Sequence, residues 1–174
     1  MKDTTENKFV LGFRLSFFGI LVVLLSAITT VFSADEPSPI PKQFSVVIGG
    51  FFGASYELEL HDGKLTYAVF ESGRRNPKRS TLTPSIAQWR EFRQSLDGLK
   101  IWQWRADYRN EHVYDGTQWS LDIACGDRAI KSRGNNSYPD ANGRPNRNSE
   151  PTKTKTFDDF LHAVEKLIGR KTFR

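Results

Sequence analysis

Asp62-Gly63 sits midway between two runs that alternate apolar and polar residues. An Asp-Gly pair closes a tight hairpin, because both central residues of such a turn take positive φ and these two accept it at low cost. Counting outward from the turn pairs Leu60 with Leu65, Leu58 with Tyr67 and Tyr56 with Val69, all on one face. Glu57 and Glu59 fall on the other face, opposite Ala68 and Thr66. A slip of one residue would send the whole apolar set into water, so this register is firm. The chain is thereby committed to a sheet with one buried face, which other elements must cover.

A second hairpin follows the same logic. Gly126-Asp127 places glycine first, as a type II′ turn requires. The register pairs Ile123 with Ile130, Asp122 with Lys131, Ser120 with Arg133 and Trp119 with Gly134. Trp119, Leu121, Ile123 and Ile130 then face inward, and Asp122 with Lys131 forms an outward cross-strand ion pair. Gly134 leaves the Trp119 indole room to lie over bare backbone. Residues 44–48 read as a further strand, running into Gly49-Gly50-Phe51-Phe52-Gly53. A glycine cluster cradles phosphate only ahead of a helix. Here a strand follows, so a turn or bulge is expected. Residues 101–108 also alternate, with Trp102, Trp104, Ala106 and Tyr108 on one face and Gln103, Arg105 and Asp107 on the other.

Two segments switch to helical period. Thr83-Pro84 supplies a cap and a first-turn proline, Ile86, Trp89, Phe92 and Leu96 form a stripe, and Gly98 stops it. Thr156 caps the last helix, whose wide stripe is Phe157, Phe160, Leu161, Val164, Leu167 and Ile168 before Gly169. The predicted fold is α+β: a mainly antiparallel sheet of about six strands with two amphipathic helices on one face, in the order βββαβββα. The repeat of strand, hairpin and helix is topological and has no counterpart in sequence.

Residues 1–33 stand apart. Lys2, Lys8 and Arg14 precede an uncharged apolar run over 15–32, and Val31 and Ser33 occupy the −3 and −1 positions before Ala34. This is the layout of a signal peptide cleaved after Ser33; an N-terminal membrane anchor is the alternative, and either one exports the remainder. Residues 34–43 are a proline-rich tether and 44–174 a single α+β domain. Removing 1–33 takes three Lys/Arg and two Asp/Glu from totals of 25 and 20, which leaves a modest charge of +4. Cys125 is the only cysteine, so there is no intramolecular disulfide, and a buried strand position is its expected role.

Motifs for chemistry are sparse. His61, His112 and His162 have no partner at metal-ligand spacing, and neither a Gly-x-Ser-x-Gly elbow nor a phosphate-binding loop is present. No metal and no cofactor is expected. Glu111, His112 and Asp115 lie close in sequence and could perform acid–base work if a loop brought them together. The basic run Arg74, Arg75, Lys78 and Arg79 could meet an anionic surface; without interleaved aromatics it does not suggest nucleic acid. Trp102, Trp104, Tyr108 and Trp119 read either as core under the first helix or as a stacking platform. The rim of the second hairpin gathers Asp115, Thr117, Trp119, Asn135, Asn136 and Tyr138, either as turn chemistry or as the edge of a polar pocket. Residues 135–155 form a long polar loop whose composition favours mobility. Asn135-Asn136-Ser137 within it is a glycosylation acceptor pattern in a eukaryotic host.

The run W-x-W-x-x-x-Y over 102–108, DGTQW over 115–119, G-N-N-S-Y-P over 134–139 and an F-x-x-F helix resemble a domain of unknown function in exported bacterial proteins. The resemblance covers about 44–168; it implies a bacterial source and a shared fold, and no mechanism. The expectation is an exported binding or envelope-associated domain, periplasmic or extracellular, whose partner is an envelope component or a protein. The membrane would be engaged only through 15–32 if these are retained. The alternatives are a small cell-envelope hydrolase using Glu111, His112 and Asp115, and an anionic-surface binder through 74–79.

Overall fold

Alternation and turn chemistry place the strands, and the apolar stripes place the helices over them. The computed structural model describes residues 38–50, 53–71, 76–113, 115–146 and 152–174. The signal or anchor segment, the first part of the tether, Phe51, Phe52, Arg74 and Arg75 lie outside the described residues. Those described belong to one compact unit. The elements are β1 (Gln43–Gly50), β2 (Ser55–His61), β3 (Lys64–Phe70), β4 (Lys78–Leu82), α1 (Ile86–Gly98), a 3-10 turn (Ile101–Gln103), β5 (Asp107–Arg109), β6 (Thr117–Cys125), β7 (Arg128–Asn135) and α2 (Lys155–Leu167).

The α+β class is as expected, but the sheet has seven strands, ordered β4-β3-β2-β1-β6-β7-β5, and it is mixed. All pairings are antiparallel except that of β5 with β7. Two segments account for the difference. The second half of the basic segment, from Lys78, turns back and pairs with β3 as an edge strand. Lysine and arginine suit such an edge because they discourage further pairing. Residues 101–108 do not form one strand. Lys100 takes a left-handed φ of 53°, and Gln103 and Trp104 donate backbone hydrogen bonds to the Lys100 and Ile101 carbonyls at 3.0 and 2.9 Å. Only residues 107–109 remain extended. Trp104 and Tyr108 are nonetheless buried, because the 3-10 turn and the short strand aim both inward, whereas Ala106 is exposed.

Both hairpin registers are as the sequence predicts. β1 joins them through the center of the sheet, with Phe44, Val46 and Ile48 opposite Ile123, Leu121 and Trp119. These apolar residues share one face with Leu58, Leu65, Tyr67, Ile130 and Tyr108. Phe44 meets Trp89 and Phe92 of α1 edge-on, each with 5.6 Å between ring centers, and Trp119 meets Phe157 of α2 at 4.8 Å. Both helices therefore cover the same face.

The helix starts differ from the cap expectation by two residues each. Ser85, not Thr83, caps α1: its Oγ accepts from Gln88 N at 3.3 Å while Gln88 Oε1 accepts from Ser85 N at 2.9 Å. This reciprocal pair outcompetes a threonine two residues earlier. Ile86 consequently falls outside the buried stripe and is 49 % exposed. Thr154, not Thr156, caps α2; its Oγ1 accepts from Phe157 N and also donates to the Pro139 carbonyl.

That second bond ties down part of the polar loop. Residues 136–146 pack rather than float: Asn136, Ser137 and Tyr138 are buried, and Tyr108 OH donates to the Gly143 carbonyl at 2.8 Å. Backbone and side-chain hydrogen bonds supply the order that apolar content could not. Among the described residues no helix is long and apolar enough to cross a membrane.

Candidate functional site

The face of the sheet opposite α1 and α2 can be read directly from the registers. One row across the strands runs Arg79, Ala68, Glu57, Val47, Ser120, Arg133, Asp107. The next row toward one end of the sheet holds Gln118 beside Gly49, then Asn135 and Arg109. Ser55 lies against Gly49 from β2, so close that a β-carbon there would fall 2.0 Å from Ser55 Oγ.

From Val47 to Asp107 in the first row and across the second, with Ser55, these residues line a cavity of about 640 Å³ that spans β2, β1, β6, β7 and β5. Its remaining lining is Gly50, Asp115, Gly116, and Trp119 and Gly134 from the strand backbones. Gly50 and Gly116 matter for its shape. A β-carbon on Gly50 would lie 2.3 Å from the Gly116 carbonyl oxygen, so two backbones meet there without side chains between them.

The charged part of the cavity is one cluster. Asp107 Oδ1 accepts from Arg133 Nε at 2.9 Å, and Asp107 Oδ2 forms an ion pair with Arg109 Nε at 2.7 Å. The arginines are neighbors only because β5 runs parallel beside β7, which places Asp107 opposite Arg133 and Arg109 opposite Asn135. All three side chains reach solvent. Gln118 and Asn135 add amides and Ser55 and Ser120 add hydroxyls. Among the described residues no aromatic ring face is presented, since the Trp119 indole lies on the core side, where Nε1 donates to the Ser137 carbonyl at 2.9 Å.

The residues of the expected rim divide into two groups. Asp115, Trp119 and Asn135 line the cavity. Thr117, Asn136 and Tyr138 do not; they hold the loop. Asn136 is buried with φ at +49°, and its Oδ1 accepts from Thr117 N at 2.9 Å while Nδ2 donates to Asn135 Oδ1 at 2.7 Å. Tyr138 packs on Phe157 at 4.8 Å, and burial pushes its phenol above the ordinary pKa.

Glu111, His112 and Asp115 are not brought together. All three are exposed, and no hydrogen bond or ion pair joins them among the described residues. His112 N instead donates to Asn110 Oδ1 at 3.1 Å, which makes the segment an Asx turn. Only Asp115 reaches the cavity.

Of the basic segment, Lys78 pairs with Glu71 at 2.7 Å and Arg79 stands exposed on the open face. The aromatic set is core: Trp104, Tyr108 and Trp119 are buried, and Trp102 is half-buried with Arg93 over its ring at 5.1 Å and its Nε1 on Asp97 at 2.5 Å. Cys125 is buried, with Sγ 3.7 Å from the Pro39 carbonyl oxygen. Among the described residues no group of three or more His, Cys, Asp or Glu side chains could hold a metal ion.

Sequence reasoning missed Val47, Gly49, Ser55, Asp107, Arg109, Gln118, Ser120 and Arg133 as a set. The alternation already pointed Ser120 and Arg133 outward. The missing signal was the parallel strand that brings Asp107 and Arg109 beside them. A scan against protein-family models and a search of curated proteins find no match to this chain.

Proposed function

We propose that this is an exported binding domain that takes its ligand on the face of the sheet opposite α1 and α2. What supports export is the basic lead, the apolar run over 15–32 and the Val31/Ser33 pattern before Ala34. What supports binding there is one observation: a cavity of about 640 Å³ that spans five adjacent strands, four of which contribute polar side chains. A volume of that size fits a small ligand. Rigid strands position such side chains more precisely than loops do. The hydrolase alternative requires Glu111, His112 and Asp115 to meet, and only Asp115 lines the cavity.

The reading is tested by screening the purified full chain against a library of small neutral and charged fragments, with binding followed by backbone amide NMR shifts. Hits are expected to perturb 47–49, 118–120 and 133–135 together, and to lose that effect in Ser120→Trp, which fills the cavity from an exposed position. Hits that map elsewhere, or that survive Ser120→Trp unchanged, would overturn the reading.

A further inference from the structure

We infer that the ligand of this cavity carries a carboxylate, gripped by Arg109 and Arg133, with Asp107 as the residue that positions both. This rests on the binding reading above and names the chemistry of its ligand.

Asp107 orients the two guanidiniums. Both arginines set Nε against the same carboxylate: Arg133 Nε donates to Asp107 Oδ1 at 2.9 Å, and Arg109 Nε lies 2.7 Å from Asp107 Oδ2 as an ion pair. The terminal nitrogens of both arginines have no partner among the described residues. A guanidinium held by Nε presents its two terminal N–H groups as a fork, and that fork matches the two oxygens of a carboxylate. Asp107 therefore sets two forks side by side and leaves them empty-handed.

Stability does not account for the cluster. The side chains of Arg109 and Arg133 are 61 % and 65 % exposed, and that of Asp107 is 41 % exposed. Ion pairs this open to water contribute little to folding. The Asp107 cluster alone carries +1, and Asp115 brings the four charged side chains of the cavity to zero, so recognition of a ligand carboxylate rests on the two forks and not on net charge.

The surroundings narrow the class further. Asp115 also lines the cavity and has no ion-pair partner among the described residues. Two aspartates in one cavity disfavor a doubly charged phosphate, because each added negative charge faces both of them. A monoanionic acid has half that penalty, and its hydroxyl or amino groups can donate to Asp115, to Gln118 and to Asn135. Among the described residues no ring face is available for stacking. The geometry fits a polar acid rich in donors, a description met by the carboxyl end of a short peptide and by an acidic sugar.

The test titrates the purified full chain with matched pairs of probes: N-acetyl-trialanine with a free and with an amidated C-terminus, and glucuronate against glucose. Isothermal titration gives the affinity and amide NMR shifts give the place. At least one free acid is expected to bind at the cavity about tenfold or more tightly than its neutral counterpart. The pair that shows the gap identifies the source of the carboxylate. Arg109→Ala and Arg133→Ala should each remove most of the gap, and Arg133→Lys should not restore it, because an ammonium has no fork. Asp107→Asn should weaken acid binding severalfold although it removes a negative charge, which a purely electrostatic site would not do. Unchanged melting temperatures exclude loss of fold as the cause. Equal binding of acid and neutral probes at the cavity overturns this inference and leaves the binding reading standing. If no probe of either kind perturbs the cavity at millimolar concentration, both fall.

Discussion

Trp119 lies across the backbone of Gly134, so close that a β-carbon on the glycine would fall 2.3 Å from the indole nitrogen and 2.6 Å from the Ser137 carbonyl oxygen. Both of those atoms are fixed, since they form the hydrogen bond that holds the loop after β7. Gly134→Ala should therefore destabilise the fold by about 1–3 kcal/mol or more, as overpacking of a rigid core does. Gly98→Ala is the control, because a β-carbon there meets nothing within 4 Å. Urea denaturation of the two variants separates a packing effect from a general loss of backbone freedom. Equal stabilities would mean that the indole can move aside.

Two buried tryptophans differ in their polar atom. Trp119 Nε1 donates to Ser137, whereas Trp104 Nε1 is buried with no partner among the described residues. Trp119→Phe and Trp104→Phe remove similar volumes, but only the first leaves a buried carbonyl without its donor. The Trp119 variant should be less stable than the Trp104 variant by about 1–3 kcal/mol, measured by chemical denaturation. The reverse order would show that ring packing outweighs the hydrogen bond.

The last residues of the chain close the core beside β3. Phe173 is fully buried, its N–H donates to Glu165 at 3.1 Å, and Tyr67 OH donates to the Thr172 carbonyl at 2.6 Å. Phe173→Ala should cost about 3–5 kcal/mol, the usual range for a buried phenylalanine. Tyr67→Phe should cost only about 0.5–1.5 kcal/mol, since it removes one hydrogen bond. A Phe173→Ala variant that melts with the wild type would show that the terminal segment is dispensable.

The parts of this fold written in local pattern were legible, and those set by distant pairing were not. The Asp62-Gly63 and Gly126-Asp127 turns fixed both hairpins because turn chemistry and alternation agreed on one register. The run Trp102-Gln103-Trp104 imitated a strand, because a 3-10 turn followed by three extended residues also buries positions 104 and 108. β4 has no apolar alternation, and its pairing with β3 supplies the strand geometry instead. The candidate site depended on β5 lying parallel to β7, a non-local contact with no short-range signature. Hence Asp115 and Asn135 were foreseen at the cavity, while Arg109 and Asp107 were not.

Stability should also respond to pH from both ends, and the sign differs at each. Asp140 Oδ1 accepts from the Arg144 and Asn142 backbone N–H groups, both at 2.8 Å. The bond from Arg144 is the main reason that its carboxyl lies below its ordinary value of 3.8. A folded-state pKa below the unfolded one means that the unfolded chain binds more protons in acid. The contribution is thus complete above the ordinary value and fades as pH falls through the lowered one. At the alkaline end, burial raises the phenols of Tyr138, Tyr108 and Tyr67 above 10.0. Their contribution is complete below that ordinary value and fades as pH rises past it, because the unfolded chain then ionises first. Thermal melting across the pH range should accordingly show Asp140→Asn losing less stability than wild type in acid, with the two chains following the same alkaline limb. Tyr67→Phe should flatten that alkaline limb and leave the acid limb unchanged. An Asp140→Asn variant with the full acid limb would place the acid sensitivity in other carboxylates.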